Sequence, residues 1–264
     1  MAEDVSSRRD APLVSHRGRP PEALRPYEVR FNIAYVFLAA VVAASIVAGA
    51  ILIKESNDPP KEAWSTWQPV DGGISGAKEI ATHVAGRYRL ASGNQAAAVF
   101  VEPLNIQNIP ISYAVVRNGN DIDDQDPIPY EKVMPYTICG LGEKCAIPEG
   151  KPSRQRMRLI RREAIELALY TFRYQKGIDA VTAYLPPSAG QTPEAVLLLR
   201  RNDLKPLLDR PLVASLPPRN PLNPTTIVSE NNFIDSVTAD RIFRFRYQQI
   251  PNGSAIVVLA PPEL

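Results

Sequence analysis

The stretch RQRMRLIRRE gathers Arg154, Arg156, Arg158, Arg161 and Arg162 within nine residues. Each guanidinium offers five N–H donors in a planar fork, a geometry that grips carboxylates and phosphates two bonds at a time. The run opens a strongly helical segment, where cations oppose the positive end of the helix dipole by about 0.3–1 kcal/mol each. Something must offset that repulsion. One expectation is a basic patch that meets an anionic partner, such as a membrane headgroup, a cell-envelope polyanion or an acidic protein face. The other is a solvated helix face whose arginines pair locally with Glu163, Glu166 and the acidic loop over 118–126.

The remaining reactive residue types are few. Cys139 and Cys145 are the only cysteines, six positions apart in TICGLGEKCAI. Outside the cytoplasm they are expected to join as a disulfide, closing a small loop worth about 2–3 kcal/mol in the chain-entropy model. A zinc site would need further thiolate or imidazole ligands, and only His83 follows residue 16. The spacing is also not the two-residue interval of thioredoxin-like redox motifs. His83 sits beside Val84 in a helical stretch and reads as a packing or surface residue, not as the base of a triad. The loop NGNDIDDQD brings Asp121, Asp123, Asp124 and Asp126 together. It lacks the glycine and distal glutamate of an EF-hand, so a solvated turn is expected in place of a calcium site. Glu163 and Glu166 share a helical face, which surface solvation explains as well as paired-acid chemistry does.

No phosphate-binding glycine loop, HExxH, GxSxG or zinc-type Cys/His pattern occurs. No catalytic residue, metal ligand or cofactor-binding residue is therefore assigned, and no cofactor is expected.

The segment that must position everything else is the run from Phe31 to Ile53, FNIAYVFLAAVVAASIVAGAILI, 23 residues without a formal charge. At about 1.5 Å per residue such a helix crosses a hydrocarbon core of about 30 Å. Arg17, Arg19, Arg25 and Arg30 precede it, against Lys54 and Lys61 after it. That asymmetry places the short tail in the cytoplasm and the long segment outside, as a single-pass cell-membrane protein. Ala48-Gly49-Ala50 has the form that signal peptidase accepts. The 30-residue tail before the span, and the apolar run through Ile51, Leu52 and Ile53, favour an uncleaved signal anchor. Small residues at four-residue spacing, Ala40/Ala44/Ala48 and Ser45/Gly49, would let two such helices approach, so a homo-oligomer is one possible arrangement.

The expected organisation is a disordered tail over 1–30, a transmembrane helix over 31–53, a stalk over 54–74 and an extracytoplasmic domain over 75–264, which a break near 118–153 would divide into two lobes. Residues 54–264 carry 24 Lys and Arg against 23 Asp and Glu, so no global field marks a nucleic-acid binder. Within this region the periodicity predicts a helix over 75–88, capped at Ser75, and a longer one over 154–175 stopped by Gly177. Strands are expected at 96–102 and 111–117, paired with each other and packed on the first helix. Further strands are expected at 178–185 and 194–200, and a terminal hairpin turns at Pro251-Asn252-Gly253. Residues 118–150 read as loop, and 206–224, with six prolines, as an irregular connection. Helices and hairpins without regular βαβ alternation define an α+β fold.

This layout resembles bacterial envelope accessory proteins, including membrane-anchored assembly factors of secretion systems. The resemblance implies an outer domain that binds a partner protein or envelope polymer in a scaffold, assembly or sensor role. The alternative is a membrane-tethered envelope enzyme using carboxylates that no local spacing identifies.

Overall fold

The computed structural model describes residues 26–57, 63–102, 105–106, 108–117, 125–218, 227–251 and 253–262. The chain forms two compact units, Met1–Lys61 and Glu62–Leu264. In the first, helix α1 spans Pro26–Asn57. Its segment Arg30–Ala50 is long and apolar enough to cross a membrane, and none of it is buried within the protein. The expected tail lies outside the described residues as far as residue 25, and its last five residues are the first turn of α1. Ser45 donates its hydroxyl hydrogen to the carbonyl of Val41 at 2.8 Å. Its polar group is thereby satisfied within the helix, as an apolar surround requires.

The second unit is a mixed α+β fold. Its helices are α2 (Gly73–Ala85), α3 (Arg154–Tyr174), α4 (Arg201–Leu208), α5 (Leu212–Ser215) and α6 (Val228–Thr238). The strands are β1 (Ala98–Phe100), β2 (Asn105–Ile106), β3 (Ile109–Arg117), β4 (Gln125–Pro129), β5 (Val133–Cys139), β6 (Ala180–Tyr184), β7 (Ala195–Arg200), β8 (Ile242–Gln249) and β9 (Ala255–Ala260). They form one nine-stranded sheet in the order β1-β5-β6-β7-β8-β9-β3-β2, with β4 also on β3.

Strand pairing and one short connection together link six strands back to β4 and β3. From β3 the pairings run through β9, β8, β7 and β6 to β5. A single 3-10 turn at Tyr130–Lys132 then joins β5 to β4, which returns to β3. The curled sheet encloses a small core of its own, made by Ala114, Val116, Ala180, Tyr184, Val196, Leu198, Val257 and Leu259. Its outer face carries the main core, where Met134, Tyr136, Val181, Ala183, Leu197 and Leu199 meet the helices. Because β6 and β7 are covered on both faces, their sequences read as nearly continuous apolar runs.

α3 lies at the centre of the helical layer, packed against α2, α4, α6, β6 and β7. Ser153 caps it by accepting from the Arg156 amide at 3.2 Å. Gly177, at φ +77°, turns the chain out beyond its end. Along one face of α3, Ile160, Ala164, Leu167, Ala168 and Thr171 are buried, whereas Met157 is exposed.

Several sequence expectations are corrected. Strands β1 and β3 do not pair with each other: β1 pairs antiparallel with β5, and β3 lies toward the opposite end of the sheet. The 118–150 segment contains β4 and β5, the latter almost wholly buried. Pro135 disguised β5, but it stands beyond the three residues that β1 pairs, Thr137 to Cys139, where a missing N–H breaks no bond to that strand. α2 starts before Ser75, which donates to Asp71 at 2.9 Å and does not cap the helix. Within 206–224, residues to Ser215 complete α4 and form α5, and 219–226 lie outside the described residues. Trp64, between the apolar run and the first expected helix, begins the fold and is buried in the main core. The terminal hairpin stands as expected, with Gln249 opposite Ala255 and Gly253 at φ +83°. Asn252 of its turn lies outside the described residues.

Candidate functional site

The five arginines of α3 do not share one fate. Arg154 is exposed and Arg156 reaches back to the Glu149 carbonyl at 2.6 Å. Arg158 binds Asp235 of α6 through Nε at 3.0 Å and Nη2 at 2.5 Å. Arg161 bonds the same carboxylate and also the Thr238 hydroxyl, at 2.9 Å. The hydrogen bond from Arg158, joined by Arg161, holds the Asp235 carboxyl below its ordinary range. Arg162 is only 4% exposed. The repulsion expected at the start of α3 is thus offset mainly by α6, a helix that the sequence reading did not identify.

Arg162 anchors a buried ion network between α2, α3 and α6. Its Nε donates to Glu230 Oε1 at 2.8 Å, its Nη1 to the Tyr88 hydroxyl at 2.7 Å and its Nη2 to the Pro217 carbonyl at 2.8 Å. Tyr88 passes its own hydrogen to Glu166 Oε2 at 2.6 Å. Glu166 also pairs with Arg162 at 3.5 Å and with Arg87, through its other oxygen. Burial works against the Arg162 charge, yet Tyr88, Glu166 and Glu230 outweigh it and hold its pKa above the ordinary value.

Glu163, next on α3, is completely buried, and neither carboxyl oxygen has a hydrogen-bond partner. Burial drives its pKa well above the carboxylate range, and the Glu166 charge pushes the same way. The surface-solvation reading of Glu163 and Glu166 is therefore corrected: both lie inside. Their burial was hidden because an amphipathic helix reads as having one wet face, whereas α3 is covered on several sides.

Beside the network opens a cleft of about 260 Å³, bounded by Ser65 and Thr66, by Arg87, Glu166 and Tyr170, and by an apolar wall from Leu212 to Pro218. His83 stacks flat on Trp67, centroids 4.0 Å apart, and Tyr170 stands edge-on to both rings. The Tyr170 hydroxyl contacts Ser65 Oγ at 2.8 Å and His83 Nε2 at 3.5 Å. Burial, with Arg87 adding to it, lowers the His83 pKa to about 4. The ring is neutral near pH 7, and as a base that weak it is a poor activator of Ser65. The His83 ring packs against Trp67 and Tyr170.

Cys139 and Cys145 are joined, with an S–S distance of 2.04 Å. The loop they close is tight enough to require glycine: a Cβ on Gly140 would stand 2.3 Å from the Ala146 carbonyl oxygen, and one on Gly142 2.8 Å from it. Asp126 pairs with Arg200 at 2.5 Å. The other acids of the suggested calcium loop lie outside the described residues. Among the described residues no cluster of three or more His, Cys, Asp or Glu is placed to hold a metal ion. Compared with known proteins, the chain matches no family model, no curated protein and no solved structure.

Proposed function

We propose that this protein is a single-pass membrane-anchored binding protein, with the 62–264 unit displayed on the extracytoplasmic side as a scaffold, assembly or sensor module for a partner protein or envelope polymer. The observation that carries the reading is the apolar segment of α1, Arg30–Ala50, which bears no formal charge from Phe31 onward. The excess of arginine before it supports the outward orientation. So does the Cys139–Cys145 bond, since such bonds persist in oxidising compartments. The membrane-tethered enzyme is the weaker reading. Acid-base hydrolysis needs two carboxyls converging on one pocket, and of the acids in the buried network only Glu166 lines the cleft, already engaged by Arg87 and Tyr88.

The orientation has a direct chemical test. Intact cells are treated with a membrane-impermeant protease, and a parallel sample is denatured with a thiol-reactive polymer before and after reduction. The expected result is loss of the 62–264 unit in the first sample. In the second, labelling of Cys139 and Cys145 is expected only after reduction. Protection from the protease, together with two free thiols before reduction, places the unit in the cytoplasm and removes the proposal.

A further inference from the structure

We propose that the cleft between residues 65–66, Arg87, α3 and the 212–218 segment binds a small organic monocarboxylate bearing an apolar substituent, with Arg87 as its anion-binding residue. The two arginines of the cleft differ in which donors are free. Arg162 lines the cleft, but its Nε, Nη1 and Nη2 all have partners and its side chain is 5% exposed, so it is a fixed wall. Arg87 differs. Its side chain is 40% exposed, and Glu166 engages it through Nη2 alone. Four of its N–H groups remain, enough for a two-bond fork to a planar carboxylate. Glu166 also faces Arg162 and accepts from Tyr88, so Arg87 has no carboxylate to itself. The charged residues lining the cleft are two arginines against this one glutamate.

The rest of the lining sets the ligand's class. Thr66 stands exposed at the mouth and can donate its hydroxyl hydrogen to an anion. Opposite are Leu212, Val213, Leu216 and Pro218, with Val213 49% exposed. An aliphatic group laid on that wall removes apolar surface from water on both partners. A phosphate monoester fits poorly, because its second charge would face Glu166 with no further free cation in the lining. A volume near 260 Å³ lies at the small end of ligand sites and holds a group the size of one amino acid. Two sources share this chemistry, a free branched-chain acid and the C-terminal carboxylate of a peptide ending in an apolar residue.

The test uses the full chain in lipid nanodiscs and three probes: 3-methylbutanoate, N-acetyl-L-leucine and the uncharged N-acetyl-L-leucinamide. Calorimetric titration to about 10 mM covers the weak affinity that a ligand of this size allows. Saturable binding of 3-methylbutanoate alone assigns the free acid, and binding of N-acetyl-L-leucine assigns a peptide end. In either case the amide is expected to bind at least about tenfold more weakly. Arg87→Gln is expected to abolish that difference between acid and amide. Val213→Asp touches no member of the ion network and leaves the thermal midpoint in place, yet it sets a carboxylate in the apolar wall and is expected to eliminate binding. Equal affinity for acid and amide, no saturable binding of either acid, or undiminished binding to Val213→Asp would each overturn the assignment. None of these outcomes depends on which side of a membrane the unit occupies, so the proposal fails separately from the topology.

Discussion

Replacing Arg162 by methionine is expected to destabilise the 62–264 unit strongly. Methionine fills most of the space of the aliphatic stem but removes the cation that Glu166 and Glu230 face and the donor that Tyr88 accepts. Breaking a buried ion pair from one side costs about 3–5 kcal/mol, because the charge left behind has neither water nor a partner. For a folded unit near 200 residues that lowers the unfolding midpoint by roughly 6–20 °C. Arg87 limits the damage at Glu166 only in part, since it approaches from the solvent side and engages the other oxygen. The diagnostic measurement is a comparison of midpoints at pH 7 with the triple variant Arg162→Met, Glu166→Gln, Glu230→Gln. If uncompensated charge is the cause, the triple variant regains much of the loss. A single variant that unfolds within about 1 °C of the parent means the network contributes nothing net, as some buried ion pairs do.

How much of this was legible in the sequence depends on whether the signal was local. The apolar run 31–53, the helix 154–175, the strands 178–185 and 194–200 and the final hairpin all declare themselves in contiguous residues, and each has its counterpart in the structure. Cys139 and Cys145 could be paired because each has one possible partner. The failures are non-local. Nothing around Val133 announces that β5 lies between β1 and β6, because its partners are distant in sequence and Pro135 argues against a strand. Arg87 and Tyr88 lie beyond the C-terminal end of α2, and only the packing of α2 on α3 brings them to Glu166. The arginine run drew notice for a sound electrostatic reason. Its answer, Asp235 and Glu230, lies some seventy residues away on α6. A buried Glu163 could have been suspected from the apolar residues on both sides of it, Ile160, Ala164 and Leu167, but the same pattern fits a helix edge.

That buried carboxyl carries the second large effect, and its sign follows from counting charges. Glu166 and Glu230 already balance Arg87 and Arg162 in the network. An ionised Glu163 would leave one uncompensated negative charge in the interior, with no hydrogen bond to hold it. The folded protein therefore keeps Glu163 protonated well above the ordinary range, through burial first and the Glu166 charge second. In the unfolded chain the same group ionises near pH 4.3. Below that value both states hold the proton and the site imposes no pH-dependent penalty. As pH rises the unfolded state releases its proton first. Stability then falls by about 1.4 kcal/mol per pH unit until the folded-state pKa is passed. Glu163→Gln removes this titration and is expected to flatten the decline of the unfolding midpoint between pH 5 and pH 8. Glu163→Met also removes two unpartnered polar atoms and regains about 1–3 kcal/mol even at low pH. At pH 8 both variants are expected to unfold above the parent, with methionine the higher. The comparison that decides is the slope of midpoint against pH. If the parent and Glu163→Gln decline in parallel over this range, Glu163 is ionised in the folded state and a cation must reach it. Equal slopes would also mean that Arg87 and Arg162 face three ionised glutamates, not two.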